Sequence, residues 1–371
     1  MDDNQKRYWV GLNLVKGIGS ARTRALLSYF DTLEDAWNAP VDQLEAAGLS
    51  PRLATALSET RTTHVLEHVW EQIQNLGLTV LTWEDPDYPR RLQEIDQPPP
   101  VLYLRGSLRQ EDQWAVAVVG TRRVTSYGNQ ITNELVSVLA RNGLSIISGL
   151  ARGIDGIAHQ ACLNTGGRTL AVLGCGVDRI YPPEHKRLAE RIIANGALVS
   201  DYPPGTPPEA ANFPPRNRII SGLSQAVIVI EAGKQSGALI TAAFAAEQGR
   251  QVFAVPGNIY APQSKGTNRL IQEGAQILLD AEDVLESLDL VQVTEYQAAR
   301  SVLPADAVEA QLYDLLGREP LHVDEIRALT DLPIEKVSAA LTLMELKGMV
   351  RQVGGMNYIA VYEARADYDT G

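Results

Sequence analysis

Between about Gln113 and Leu288 the chain alternates short apolar runs with amphipathic stretches of helical length. The runs read WAVAVVG, LSIISG, TLAVLG, ALVSDY, AVIVIEA, QVFAVPG and AQILLD, each bounded by Gly, Pro or Asp. Strands apolar on both faces, separated by helix-length segments, predict an α/β unit: a Rossmann-like, doubly wound, mostly parallel sheet with helices on both sides. Right-handed crossovers gather the strand-to-helix loops on the carboxyl edge, which is where such sheets bind ligands.

The flanks carry a different periodicity. NLVKGIGSARTRALLSYF predicts a helix, a tight Gly-Ile-Gly turn and a second helix, and LEAAGLSPRLATAL repeats the layout more loosely. This is the pattern of a helix-hairpin-helix or SAM-like module over residues 1–78, although an ordinary helical turn suits the same residues. In the hairpin reading, Gly17 and Gly19 bring backbone amides close to a phosphate at a helix start. A proline-rich connector, DPDYPRRLQEIDQPPPVLYLRG, leads into the sheet unit, taken as 79–290. An acidic linker follows at 291–306. Then AVEAQLYDLLG, HVDEIRALT, PIEKVSAALTLMELKG and VRQVGGMNYIAV predict three helices and a hairpin turning at Gly354 and Gly355, a winged helix over 307–362 ahead of a tail at 363–371. Its third helix sets only Lys336 and Lys347 against Glu335 and Glu345, which favours protein contact over reading a DNA groove.

Composition changes this picture mainly through the distribution of charge. The 371 residues sum to −12, which argues against a polyanionic partner. Yet residues 120–270 carry 15 Lys and Arg against 9 Asp and Glu, whereas the rest of the chain carries 18 against 36. The basic middle coincides with the sheet unit. Two cysteines, Cys162 and Cys175, lie in apolar surroundings without metal or redox spacing, and are expected as buried free thiols in a reducing compartment. With no signal-peptide core and no run near the ~18 apolar residues of a membrane span, a cytoplasmic soluble protein with no membrane contact is expected.

The candidate chemistry lies in the loops. In GTRRVTSYG, Gly120, Thr121 and Arg122 end a strand and enter a helix, so amides and hydroxyls there offer an anion seat beside Arg122 and Arg123. A plain strand-to-helix turn needs similar residues. SGLARGIDGIAHQ places Gly149 and Gly153 before a helix with Asp155 and His159 four apart; an N-cap Asp155 bonded to His159 explains them better than an acid and base pair. EAGKQSGALIT sets Lys234 beside Ser236 and Gly237 at another helix start, but GKQSG lacks the spacing of a P-loop, and the Gly-Cys-Gly at 174–176 fails the dinucleotide fingerprint. No cofactor and no metal are therefore expected. FPPRNR is read as a loop on the same edge, its prolines holding Arg216 and Arg218 ready around Asn217, with Phe213 either a stacking platform for a base or core filling. Several anion seats along one edge suit a polyanion better than one small cofactor.

Together GTRRVTSYG, SGLARGIDGIAHQ, DRIYPPEHKRLAE, NFPPRNRIISGLS, KQSGALITAAFAAEQGR and FAVPGNIYAPQSKGTNRLIQEGA resemble the DprA (Smf) family of bacterial DNA-processing proteins, densely over residues 80–288 and more weakly at both ends. The resemblance implies a Rossmann-fold protein that binds single-stranded DNA and is not an enzyme. It implies protection of incoming strands in transformation, loading of the RecA recombinase onto SSB-coated strands, and a homodimer formed through the Rossmann unit. By motif, it assigns DNA contact to Arg122, Phe213, Arg216, Asn217 and Arg218. Gly149, Gly153, Lys234, Ser236 and Lys265 are assigned around them. Two positions depart from the family pattern: Pro183 stands where a basic residue often follows the Tyr-Pro, so Lys186 is carried over in its place, and Ala210, Ala211 and Asn212 precede the Phe-Pro. Two rival readings remain at this point. One is a nucleoside-monophosphate phosphoribohydrolase, which EAGKQSG distantly resembles in its phosphate turn, although Glu231 precedes the turn and no glutamate follows closely until Glu247; the other is a protein adaptor whose basic edge is incidental.

Overall fold

The computed structural model describes residues 3–288, 307–316, 320–330, 332–346, 350–353 and 355–360. The expected linker at 291–306, the tail, Lys347 and Gly354 lie outside the described residues. The chain divides into two compact units, Met1–Leu288 and Asp289–Gly371.

All seven apolar runs form strands of the first unit: β3 (Ala115–Val119), β4 (Ser145–Ser148), β5 (Thr169–Val172), β6 (Gly196–Ser200), β7 (Ala226–Val229), β8 (Gln251–Ala254) and β9 (Gln276–Ile277). Two further strands precede them: β2 (Val101–Gly106) arises from the segment read as a proline-rich connector, and β1 (Thr79–Thr82) from the residues just before it. The sheet order is β1-β2-β6-β5-β4-β3-β7-β8-β9. β3 to β9 pair in parallel, with Ala117 opposite both Ile147 and Val227, whereas β2 pairs antiparallel with β6 and β1. VLYLRG pairs because its apolar residues find a sheet edge to cover: Tyr103 is fully buried, and its hydroxyl donates to Asn13 Oδ1 at 2.9 Å.

Alternation along each strand divides the core in two. Leu170, Val172, Ala197 and Val199 face one cluster, with Leu92 and Ile219, while Ala171, Leu173 and Leu198 face the other. The second cluster continues into the N-terminal helices α1 (Asp3–Leu14), α2 (Ser20–Tyr29), α3 (Leu33–Asn38), α4 (Val41–Ala46), α5 (Pro51–Thr62) and α6 (Val65–Asn75) through Trp9, Val10, Leu26 and Leu57. Each such side chain contributes roughly 1.5–3 kcal/mol by leaving water. The helical module thus shares the core of the sheet. Its Gly-Ile-Gly turn needs glycine at position 17, where φ is +105°.

The remaining helices of this unit are α7 (Arg90–Gln93), α8 (Ser126–Arg141), α9 (Ile154–Asn164), α10 (Lys186–Asn195), α11 (Phe213–Gly222), α12 (Gly237–Glu247), α13 (Lys265–Gln272) and α14 (Glu282–Ser287). Cys162 and Cys175 are buried free thiols, pushed up to about 12 and about 11 chiefly by burial, which keeps them protonated and inert. Among the described residues, no helix is long and apolar enough to cross a membrane.

The second unit is the expected winged helix. Helices α15 (Ala307–Leu315), α16 (Val323–Thr330) and α17 (Ile334–Leu346) pack Leu312, Ile326, Val337 and Leu341 together beneath a sheet ordered β10 (Leu321–His322), β12 (Asn357–Ala360), β11 (Val350–Gln352).

Candidate nucleic-acid interface

From β3, the strands β4 to β6 build to one side and β7 to β9 to the other, so the loops leaving β3 and β7 diverge at the topological switch point. A cleft of about 780 Å³ opens there. It brings together Gly120, Thr121 and Arg122 from the β3 loop, Phe213, Arg216 and Asn217 from α11, and Ser236 and Gly237 from the β7 loop. Its charged lining is Arg122, Arg123 and Arg216 against Asp155.

The expected anion seat at the start of α8 is already filled. Thr125 caps that helix, accepting from the Gly128 amide at 3.1 Å, and its own amide and hydroxyl donate to the Glu231 carboxylate at 3.0 and 2.5 Å. Glu231 is buried, and a Cβ on Gly128 would stand 2.3 Å from Glu231 Oε2. The helix start therefore stabilises a resident carboxylate from the loop after β7, which fills the place an incoming phosphate would take. Gly128→Ala is expected to lower stability by about 1–3 kcal/mol through this overpacking. A urea melt unchanged from the parent protein would refute the steric argument.

Gly120 and Gly153 serve backbone approach. A Cβ on Gly120 would lie 2.5 Å from Ile154 Cγ1, and one on Gly153, whose φ is +77°, 2.2 Å from the Thr121 carbonyl oxygen. These contacts fix the β3 loop against α9 and leave Arg122 exposed at the cleft mouth.

FPPRNR is not a loop. It forms the first six residues of α11, where Pro214 and Pro215 fit in the first turn because their missing amides are not needed and their φ is already helical. The helix turns Arg216 inward, to 4% exposure on the cleft floor. Its Nη1 donates to the Gly149 carbonyl at 3.0 Å and to the Val172 carbonyl, while its Nε is buried without a partner among the described residues. Burial pushes this guanidinium down, opposed by the nearby Asp155 carboxylate. Burial likewise raises the Asp155 carboxyl, opposed by Arg216 and by the amides of Ala151 and Gly149, which donate to it at 3.4 and 3.1 Å. Gly149 is glycine because a Cβ would stand 2.7 Å from Arg216 Nη2. Asp155 is neither the N-cap, a place held by Gly153, nor the partner of His159. His159 Nδ1 instead lies 2.7 Å from Thr169 Oγ1.

Phe213 lines the cleft half-buried, with the Arg122 and Arg216 guanidinium carbons 6.0 and 5.8 Å from its ring centre. Its edge lies 2.9 Å from where a Gly174 Cβ would stand, which explains the glycine there. Beside it, 5.7 Å between ring centres, is Tyr181, an exposed aromatic that the sequence reading did not single out. Asn217 Nδ2 donates to the Gly237 carbonyl at 3.3 Å, tying α11 to α12, which Ser236 caps through the Ala238 amide. Nothing stands within 4 Å of a Gly237 Cβ, so that glycine leaves open space in the cleft.

Four assigned cations do not line the cleft. Arg218 points away from it, its guanidinium held by Asp201 at 2.9 Å and by the Gln97 and Pro215 carbonyls at 2.9 and 2.8 Å, a brace between connector and sheet. Lys186 is exposed at the start of α10. Lys234 and Lys265 line a separate hollow between α12 and α13.

Residues 79–289 match the family described as DNA recombination-mediator protein A, and residues 297–356 match the DprA winged helix domain. The chain is 38% identical to the protein Smf of Synechocystis sp., covering 96% of this chain and 99% of that one. It is 40% identical to the DNA processing protein DprA of Bacillus subtilis over 67% of this chain and 82% of that one. The structure of DNA processing protein A from Streptococcus pneumoniae superposes with a TM-score of 0.67 at 35% identity, over 76% of this chain and 97% of that one. That of the Helicobacter pylori protein, for which a unique single-stranded DNA binding mode is described, gives 0.52 at 32% identity, over 57% and 95%. With a family match over more than half its length, joined to a Rossmann-like sheet and a winged helix, this chain belongs to the DNA recombination-mediator protein A (DprA/Smf) family.

Proposed function

We propose that the switch-point cleft binds single-stranded DNA with little sequence preference and carries out no catalysis. The observation that carries this reading is the convergence of Arg122 and Arg216 on the Phe213 ring, in a cleft whose helix-start phosphate cradle is occupied by Glu231. A mononucleotide needs that cradle. An unpaired strand needs cations for its backbone and a ring for a base, and Phe213 with Tyr181 offers the latter. The hydrolase reading loses its acid: Glu231 is committed to Thr125, and Glu247 does not line the cleft.

The family expectation is that bound strands are protected and that RecA is loaded onto SSB-coated DNA. A homodimer formed through the sheet unit is favoured by the edge strand β9, whose neighbourhood exposes Ile277 at 45% and Leu279 at 70%. Exposed Glu335, Lys336, Leu343 and Glu345 on α17 support protein contact by the winged helix.

Titration of oligothymidine and of duplex DNA at two salt concentrations tests the cleft. Single strands are expected to bind more tightly, and more weakly as salt rises. Arg122→Ala is expected to reduce affinity about 10- to 100-fold for every sequence, with unfolding unchanged because its side chain is exposed. Full affinity in that variant would remove the cleft from the mechanism.

A further inference from the structure

A third hollow, about 800 Å³, lies at the amino edge of the sheet, opposite the edge that carries the cleft. α11 runs from one to the other: Phe213 and Arg216 at its start line the cleft, and Leu223, just past its end, lines the hollow about 15 Å away. The floor is the sheet core, Leu81 from β1, Leu104 from β2 and Leu170 from β5, and the half-buried Leu108 and Pro89 form its sides. No aromatic face is open in it. Tyr88, the one aromatic among the described residues of the lining, is 4% exposed, and its hydroxyl donates to the Pro99 carbonyl at 2.7 Å.

The rim has more cations than its carboxylates can serve. Arg90, Arg91 and Arg109 line it against Asp87, Glu94 and Asp112. Asp112 is already saturated: its oxygens accept from Arg168 Nε and Nη2 at 2.7 and 2.8 Å, from the Ser145 hydroxyl at 2.8 Å and from the Arg109 amide at 2.8 Å. Glu94 takes Arg90 at 3.4 Å and also opposes the desolvation of Arg91 and Arg250. Arg168 and Arg250 adjoin the lining, donating to the carbonyls of Ser107 and Arg91. Glu111, in the same turn as Asp112, does not line the hollow. Arg91 donates from Nη2 to the Gln113 carbonyl at 3.4 Å, and its Nε is buried without a partner among the described residues. Arg109 is exposed and, among the described residues, in no ion pair. A half-buried guanidinium short of acceptors is best served by a carboxylate, which takes two of its N–H groups at once.

We propose that this hollow docks an acidic peptide segment of a partner protein, with an apolar side chain entering over Leu104 and Leu223 and carboxylates meeting Arg91 and Arg109. A few convergent polar groups around an apolar hollow of this size suit a short peptide. A nucleic-acid strand would find cations here but no ring on which to stack a base. The partner and a strand in the cleft occupy opposite edges of the sheet, so both can be held at once.

Fluorescence anisotropy on the full chain tests this with a labelled peptide Asp-Glu-Asp-Leu-Leu-Phe, beside Lys-Arg-Lys-Leu-Leu-Phe and Asp-Glu-Asp-Ser-Gly-Ser. The first is expected to bind about 10-fold more tightly than either control, because only it matches both the rim and the floor. An Arg90→Glu, Arg109→Glu double variant changes two exposed side chains, and its melting temperature is expected to match the wild type. Its affinity for the acidic peptide is expected to fall about 10-fold or more. At about 0.15 M salt, where charges this far from the cleft are screened, its oligothymidine affinity is expected to stay within about 2-fold of wild type. Saturating oligothymidine is expected to leave the peptide bound. Equal binding of the three peptides, no binding of the acidic one, or undiminished affinity in the double variant overturns the docking site without touching the cleft. Displacement of the peptide by oligothymidine, or loss of both ligands in the double variant, makes the hollow part of the nucleic-acid surface and also overturns it. Peptide binding by a wild type that ignores oligothymidine keeps the docking site and removes the cleft reading.

Discussion

Arg216→Ala is expected to cost about 3–5 kcal/mol of stability, more than any exposed substitution in the cleft, because it breaks a buried polar arrangement by removing one member. The Gly149 and Val172 carbonyls lose their donor, and the Asp155 carboxylate is left buried without the cation that opposes its desolvation. Single-strand affinity is expected to fall as well, since the cleft floor changes from a cation beside an anion to an anion alone. Arg216→Lys keeps the charge but replaces the weakly hydrated planar guanidinium by a compact, strongly hydrated ammonium that is costlier to bury, so an intermediate loss of both quantities is expected. Adding Asp155→Asn to Arg216→Ala is expected to return part of the stability, since the two sites are coupled. Urea denaturation with oligothymidine titration below the melting transition separates the terms. A variant that unfolds like the wild type but no longer binds would make Arg216 a ligand contact and not a strut.

This dual duty explains which parts of the site the sequence displayed. The seven apolar runs were legible as strands because both faces of a parallel sheet are buried, leaving no polar alternation to confuse them. The gathering of Arg122, Phe213 and Asn217 with Ser236 on one edge followed from the handedness of the crossovers. VLYLRG escaped notice as β2 because three prolines precede it and its partner β6 lies about a hundred residues away. FPPRNR was misread by treating paired prolines as loop stiffeners, although proline in a helical first turn was the available signal. Which arginine of that segment faces the cleft depends on helical phase, and so Arg218 was grouped with Arg216 when it braces Gln97 and Asp201 instead. Glu231 left no local signal, because Thr125, whose amide and hydroxyl donate to it, is more than a hundred residues earlier in the chain.

The same strut predicts a pH dependence. His159 is fully buried, its Nδ1 at 2.7 Å from Thr169 Oγ1 and its Nε2 without a partner among the described residues. Burial first, then the charges of His185 and Arg216, pulls it from 6.5 down to about 3. The folded state thus binds this proton less tightly than the unfolded chain, so the stability contributed by neutral His159 is complete above pH 6.5 and is lost as pH falls toward 3. At about 1.4 kcal/mol per unit, roughly 2–3 kcal/mol is expected to disappear between pH 6.5 and 4.5. Asp155 works in the opposite sense: its raised carboxyl pKa makes the folded state the tighter proton binder in the window just above 3.8, and relieves part of the loss. His159→Gln, able to keep a hydrogen bond to Thr169, is expected to flatten the urea midpoint between pH 6.5 and 4.5, whereas Asp155→Asn steepens the decline at the acid end. A decline of undiminished slope in His159→Gln would place the acid sensitivity elsewhere. A flattened one would assign the acid sensitivity to protonation of this buried imidazole, whose charged form is disfavoured first by burial and then by His185 and Arg216.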